Sequence, residues 1–133
     1  MKMITAYLRP DRVDSVVDAL IESGIFAMTI SDAVGCGRQR GMVGVYSQNG
    51  EDVRFYPKKR LEVAVPDNHV ERAMDALLRG ARTYHLGDGM VFVLDVTDCM
   101  RIRTRVRGAE ALEYDPMHNL KTGSKTDVFN TGV

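Results

Sequence analysis

The chain lacks a charge excess: 18 basic residues balance 18 acidic ones over 133 residues. No overall field therefore draws it to nucleic acid or anionic lipid, and any electrostatic recognition must be local. Cysteine is scarce. Cys36 and Cys99 are too few to staple a secreted domain and belong to no CxxC pair or metal-ligand spacing, so they read as free thiols in a reducing compartment. No apolar run approaches the about 20 residues that cross a bilayer, and no charged-then-apolar leader opens the chain. A cytoplasmic protein without membrane insertion is expected. What is present, 44% hydrophobic and 27% charged residues, fits one globular domain with a modest core.

An internal repeat sets the architecture. The run from Pro10 to Ile21 recurs, with one inserted residue, from Pro66 to Leu78. Val13, Val16, Val17, Leu20 and Ile21 in the first copy, and Val70, Ala73, Met74, Leu77 and Leu78 in the second, fall at helical spacing. Asp11 and Asp67 are placed to cap the first turns, and Gly24 and Gly80 suit left-handed stops. Strand-like segments at 1–8, 26–34, 60–65 and 90–96 flank the two helices, giving β-α-β twice. That predicts an α+β, ferredoxin-like βαββαβ fold, with four antiparallel strands carrying two helices on one face. The bare sheet face then needs covering, so a homo-oligomer with sites between subunits is expected.

Residues 35–59 interrupt the pattern as a long loop, the kind that in a compact domain serves a function. The domain is expected to span 1–107, with 108–133 a flexible extension. Within the loop, Gly35-Cys36-Gly37-Arg38-Gln39-Arg40-Gly41 alternates glycine with cationic and amide side chains, and Gly87-Asp88-Gly89 forms a second tight turn. Glycine permits φ > 0 and removes the Cβ that would hold a ligand away, so N–H groups can converge on phosphate oxygens. Arg101, Arg103, Arg105 and Arg107 alternate with other residues; in an extended chain their guanidinium groups share one face about 7 Å apart, a spacing suited to a polyphosphate. A solvated edge strand whose charges deter aggregation is the alternative. A structural turn explains Gly87 and Gly89 without a ligand, but three such elements together point to a bound phosphate.

Residues 30–41, Tyr46, the run Phe55-Tyr56-Pro57-Lys58-Lys59-Arg60-Leu61-Glu62-Val63, the segment from Thr83 to Phe92 and Arg101-Ile102-Arg103-Thr104 together resemble the PII nitrogen-regulatory signal-transduction family. The resemblance implies a homotrimer of ferredoxin-like subunits that binds ATP or ADP, with AMP as a further candidate, in the clefts between them. By matching position, Gly35, Gly37, Arg38 and Gln39 would contact the nucleotide, with Thr29, Glu62 and Ala64 near the adenine. Gly87, Asp88 and Gly89 would wrap the phosphates, and Arg101 and Arg103 would reach them from the neighbouring subunit. Gln39, Gly41, Lys58 and Gly87 match the positions that serve 2-oxoglutarate, with Gln39 a ligand to its Mg. Two departures stand out. Met90 occupies a position usually Lys or Arg, and Tyr46-Ser47-Gln48-Asn49-Gly50-Glu51 lacks the tyrosine that uridylylated members carry.

The expected function is a non-enzymatic sensor that regulates a target protein, a transporter or metabolic enzyme, through loop 35–59, in nitrogen metabolism. Any ATP hydrolysis would be slow and incidental, because only Asp88 and Glu62 are placed to activate water. A divergent sensor of inorganic carbon or of energy charge is the alternative. An RNA-binding module shares the element order, but its aromatic stacking residues are mostly missing. Cys36 would sense oxidation only if its thiolate were stabilised, and otherwise is a small turn residue. His69 and His85 are isolated, and Met28, Met74 and Met90 fall on core or strand positions.

Overall fold

The computed structural model describes residues 1–36 and 55–113. Within them β1 (Lys2–Leu8), α1 (Val13–Glu22) and β2 (Thr29–Gly35) make the first β-α-β unit, and β3 (Tyr56–Val65), α2 (Val70–Ala81) and β4 (Gly89–Asp95) the second. The strands form one antiparallel sheet in the order β2-β3-β1-β4. This is the ferredoxin-like arrangement that the duplication predicts.

Strand register decides where the core sits. Ile4 faces Val63 and Ala6 faces Leu61, so the buried residues of the two central strands lie on one sheet face. Val16, Ala19 and Leu20 of α1 and Ala73, Ala76 and Leu77 of α2 close onto that face in a single cluster. Each fully buried Leu or Val there contributes about 1.5–3 kcal/mol. The opposite face carries Met3, Thr5 and Tyr7 of β1 beside Met90, Phe92 and Leu94 of β4. Met90, Phe92 and Leu94 are 62%, 47% and 50% exposed, and Tyr7 meets Phe92 edge-on with ring centroids 6.2 Å apart.

Several local expectations are corrected. β3 begins at Tyr56 rather than at residue 60, because Tyr56 to Lys59 pair with β2 although their side chains are polar or proline. Pro57 is tolerated since β1 joins β3 only from Lys59 onward. Asp11 and Asp67 do not cap the helices. Each instead lies in a 3-10 turn, Pro10–Arg12 or Asp67–His69, whose backbone bonds Arg12 N–H to Arg9 O (3.0 Å) and His69 N–H to Pro66 O (2.9 Å) already satisfy early donors. The Asp67 carboxylate accepts from the Met1 ammonium at 2.8 Å.

Gly24 is the left-handed stop expected, with φ at 82° and its N–H on Ile21 O at 2.9 Å. Gly80 is not. It lies inside α2, where a Cβ would come within 2.6 Å of Val16 Cα, so the missing side chain serves backbone-to-backbone contact between the helices. The Arg12 guanidinium crosses the same seam and donates to Gly80 O at 3.0 Å. In the C-terminal extension, Ala109–Leu112 forms a 3-10 turn against β3, although no apolar period marks it.

Candidate functional site

The segment between α2 and β4 folds around one carboxylate. Asp88 accepts the Thr83 N–H at 2.8 Å, the Tyr84 N–H at 3.0 Å, the Thr83 hydroxyl and the Arg9 Nε at 3.0 Å. Arg9 also donates to the Leu86 carbonyl. Burial pushes the Asp88 carboxyl upward, but the bonds from Thr83, Arg9 and Tyr84 outweigh it and hold the group well below the usual carboxylate range. Asp88 therefore stays ionised and shapes the loop from inside.

Glycine is required at the loop's exit. Gly89 opens β4 opposite Leu8 with φ at 104°, and a Cβ there would fall 1.7 Å from Tyr7 O. Gly87 has φ at 93°, and Tyr84 also takes a left-handed φ of 68° beneath the Arg82 guanidinium, 4.0 Å from its ring. The loop is fixed by its own contacts, with the Thr83 and Tyr84 N–H groups on Asp88 and the Leu86 carbonyl on Arg9.

Lys58 connects this loop to β3. Its Nζ donates to Gly87 O at 2.6 Å. Desolvation, then the nearby Arg9 charge, lower the Lys58 pKa, and Asp88 only partly opposes them. The two described members of the predicted effector set, Lys58 and Gly87, are thus in contact, whereas Gln39 and Gly41 lie outside the described residues. So do Gly37 and Arg38. Of the predicted adenine group, Thr29 pairs directly with Glu62 across β2 and β3, and Ala64 follows Glu62 on the same face of β3, opposite Met3. Glu62 accepts from Arg60 at 2.8 Å. Gly35 ends β2 opposite Tyr56 with no left-handed φ, so it is a strand residue and not part of a turn.

The arginine strand is the largest correction. Residues 102–104 turn, Met100 bridges Arg107, and Arg105 takes φ at 65° with its N–H on Arg101 O at 2.8 Å. Folding back separates guanidinium groups that an extended chain would align. Arg107 pairs with Asp98, and Arg101 donates to the carbonyls of Ala111 at 2.7 Å and Glu113 at 2.9 Å. Among the described residues, no hydrogen bond joins Arg101 or Arg103 to the Gly87–Gly89 turn within the chain.

Arg9 is the site residue that sequence reading missed. It stands 79 residues from Asp88, and only the position of β1 beside β4 brings them together. Among the described residues no cluster of three or more His, Cys, Asp or Glu side chains could hold a metal ion, and no helix is long and apolar enough to cross a membrane. A groove of about 290 Å³ between α1 and α2, lined by Ser15, Asp18, Glu22 and Arg79, contains none of the candidate residues.

Comparison with known proteins agrees with this architecture. Residues 1–106 match the family model described as nitrogen regulatory protein P-II. The chain is 40% identical over 112 residues to a nitrogen regulatory protein P-II of Bradyrhizobium diazoefficiens, covering 84% of this chain and all of that protein. It is 42% identical over 104 residues to nitrogen regulatory protein P-II 1 of Escherichia coli, covering 78% of this chain and 93% of the other. Among solved structures, Arabidopsis thaliana PII bound to citrate superposes with a TM-score of 0.69 at 32% identity, over 86% of this chain and 91% of that one.

Proposed function

This chain belongs to the nitrogen regulatory P-II family of signal-transduction proteins, and from that premise we propose that it binds adenine nucleotides between subunits of a homotrimer and regulates a target protein through loop 35–59. The observation that carries the reading is the preformed 83–89 loop, locked from within by Asp88 and tied to β3 by Lys58. An anion receptor needs N–H groups fixed before the ligand arrives, because ordering them on binding would consume affinity. Gly87 and Gly89 supply that backbone, with Asp88 shaping it. Thr29, Glu62 and Ala64 would flank the adenine on the outer sheet face, which the half-exposed Met90, Phe92 and Leu94 make suitable for burial against neighbouring copies. Arg101 and Arg103 would serve the phosphates of an adjoining subunit.

Gly37, Arg38, Gln39 and Gly41 would complete the nucleotide and effector contacts. Mg would enter only with 2-oxoglutarate, and Gln39 would supply an amide oxygen as a hard ligand to it. Lys58 would exchange its bond to Gly87 O for the effector's distal carboxylate. Binding regulates the target only through differential affinity for two loop states.

A second reading, a sensor of ADP or AMP, is favoured by one observation: Met90, next to Gly89, is uncharged and 62% exposed. With no cation there, a γ-phosphate gains less. Calorimetry with ATP, ADP and AMP, each with and without 2-oxoglutarate or bicarbonate, tests both readings. Arg103→Ala should weaken ATP binding about tenfold, equivalent to ~1.4 kcal/mol. Equal affinity in this variant and the unsubstituted chain would remove the phosphate role, and strong selectivity for ATP would reject the second reading.

A further inference from the structure

Arg101 is assigned above to a phosphate, yet its guanidinium is engaged within its own chain. The acceptors, the carbonyls of Ala111 and Glu113, belong to or directly follow the 3-10 turn Ala109–Leu112. Every residue of that turn lies beyond the part matched by the family model, which ends at 106.

The turn is held in place by design of the backbone. Gly108 precedes it with φ 74° and ψ −160°, a region that essentially only glycine occupies. Its N–H donates to Cys99 O at 2.9 Å, and its carbonyl accepts from the Cys99 thiol at 3.3 Å and from the Ala111 N–H at 2.9 Å. Glu113 N–H closes on Glu110 O at 3.2 Å. The segment is therefore a short, internally bonded strap with one end anchored at Cys99 and the other on Arg101.

Both bonds come from one nitrogen, Nη2, and two carbonyls occupy its N–H groups without neutralising the charge; a phosphate that takes the same nitrogen does both, with charge-assisted and bidentate bonds. Exchange of one for the other is chemically favourable, and the N–H groups on the strap carbonyls cannot serve both at once. We propose that residues 108–113 are a built-in competitor for Arg101, so that strap docking and nucleotide binding oppose each other. The proposal rests on the nucleotide reading above and adds a regulation of that site. The apparent affinity is reduced by the fraction of chains whose strap is released, and by reciprocity the nucleotide loosens the strap.

Two substitutions in the full chain weaken the strap without touching Arg101. In Gly108→Ala the added Cβ meets nothing within 4 Å, so only the backbone angle is penalised. Ala111→Pro removes the N–H that closes the turn on Gly108 O. Calorimetry with Mg-ATP should show about three- to tenfold tighter binding in both, the gain expected if the strap is docked in most molecules. Hydrogen exchange in the unsubstituted chain should show the Ala111 and Glu113 amides exchanging faster when Mg-ATP is saturating. Unchanged affinity in both variants, or strap amides indifferent to bound Mg-ATP, overturns the strap while leaving the nucleotide reading intact. No binding heat from the unsubstituted chain or either variant overturns both.

Discussion

Each half of this duplicated chain places a glycine near the end of its helix, and the two halves use it for opposite reasons. Gly24 ends α1 with φ at 82° and nothing within 4 Å of where its Cβ would lie. Gly80 sits inside α2 with an ordinary helical φ, and its hydrogen is all that fits against Val16. Conformation dictates the first and contact the second. The halves diverge again downstream: residues 25–28 run directly into β2, whereas 83–88 form the Asp88-centred loop before β4. Repetition thus supplies the framework, and one copy alone carries the Asp88-centred loop.

Substitutions can break or sharpen this contrast. The largest effect is expected from Gly89→Ala, which puts a methyl 1.7 Å from Tyr7 O and strains a φ of 104°. A loss of more than about 3 kcal/mol, or failure to fold, is expected from denaturant unfolding. Gly80→Ala comes next. Helix propensity alone would stabilise by about 1 kcal/mol, but the new Cβ meets backbone that cannot rotate away, and overpacking of this kind costs about 1–3 kcal/mol or more. Destabilisation is therefore the expected sign, and a stabilised Gly80→Ala would refute the contact explanation. Gly24→Ala, strained only in φ, should cost about 1 kcal/mol.

Asp88→Asn tests the loop itself and ranks between the two helix glycines. It keeps the shape but weakens bonds to Thr83, Tyr84 and Arg9, at a cost of about 1–3 kcal/mol at neutral pH. Because the folded-state pKa is depressed, the Asp88 contribution is fully present above its unfolded value of about 3.9 and declines as pH falls further. The unsubstituted protein should lose stability below about pH 4, and the variant should lose less over the same range. Parallel curves would show that Asp88 does not anchor the loop.

Much of the fold was legible because two periodicities repeat. Val16 and Leu20 in α1, and Ala73 and Leu77 in α2, fall on the buried face that their spacing implies. The start of β3 was not legible, since Tyr56-Pro57-Lys58-Lys59 presents no apolar alternation and is a strand only through its pairing with β2. Nor was the reversal at 102–104. It contains neither glycine nor proline, and Arg105 takes a left-handed φ that no residue type advertises. For the site, the glycines of the 83–89 loop were visible in the sequence, whereas the contact of Lys58 with Gly87 O and of Arg9 with Asp88 depends on neighbouring strands. The cap readings at Asp11 and Asp67 failed because a 3-10 turn does by backbone what a side chain was expected to do.

The absent methyl at Gly80 has a mechanical consequence. Where two helices touch main chain to main chain, and Arg12 stitches the seam, neither can peel off while the other stays folded. The duplicated units should then melt as one cooperative body, with the slowest-exchanging amides shared between them. The loop that follows α2 consequently springs from a foundation as rigid as the whole protein.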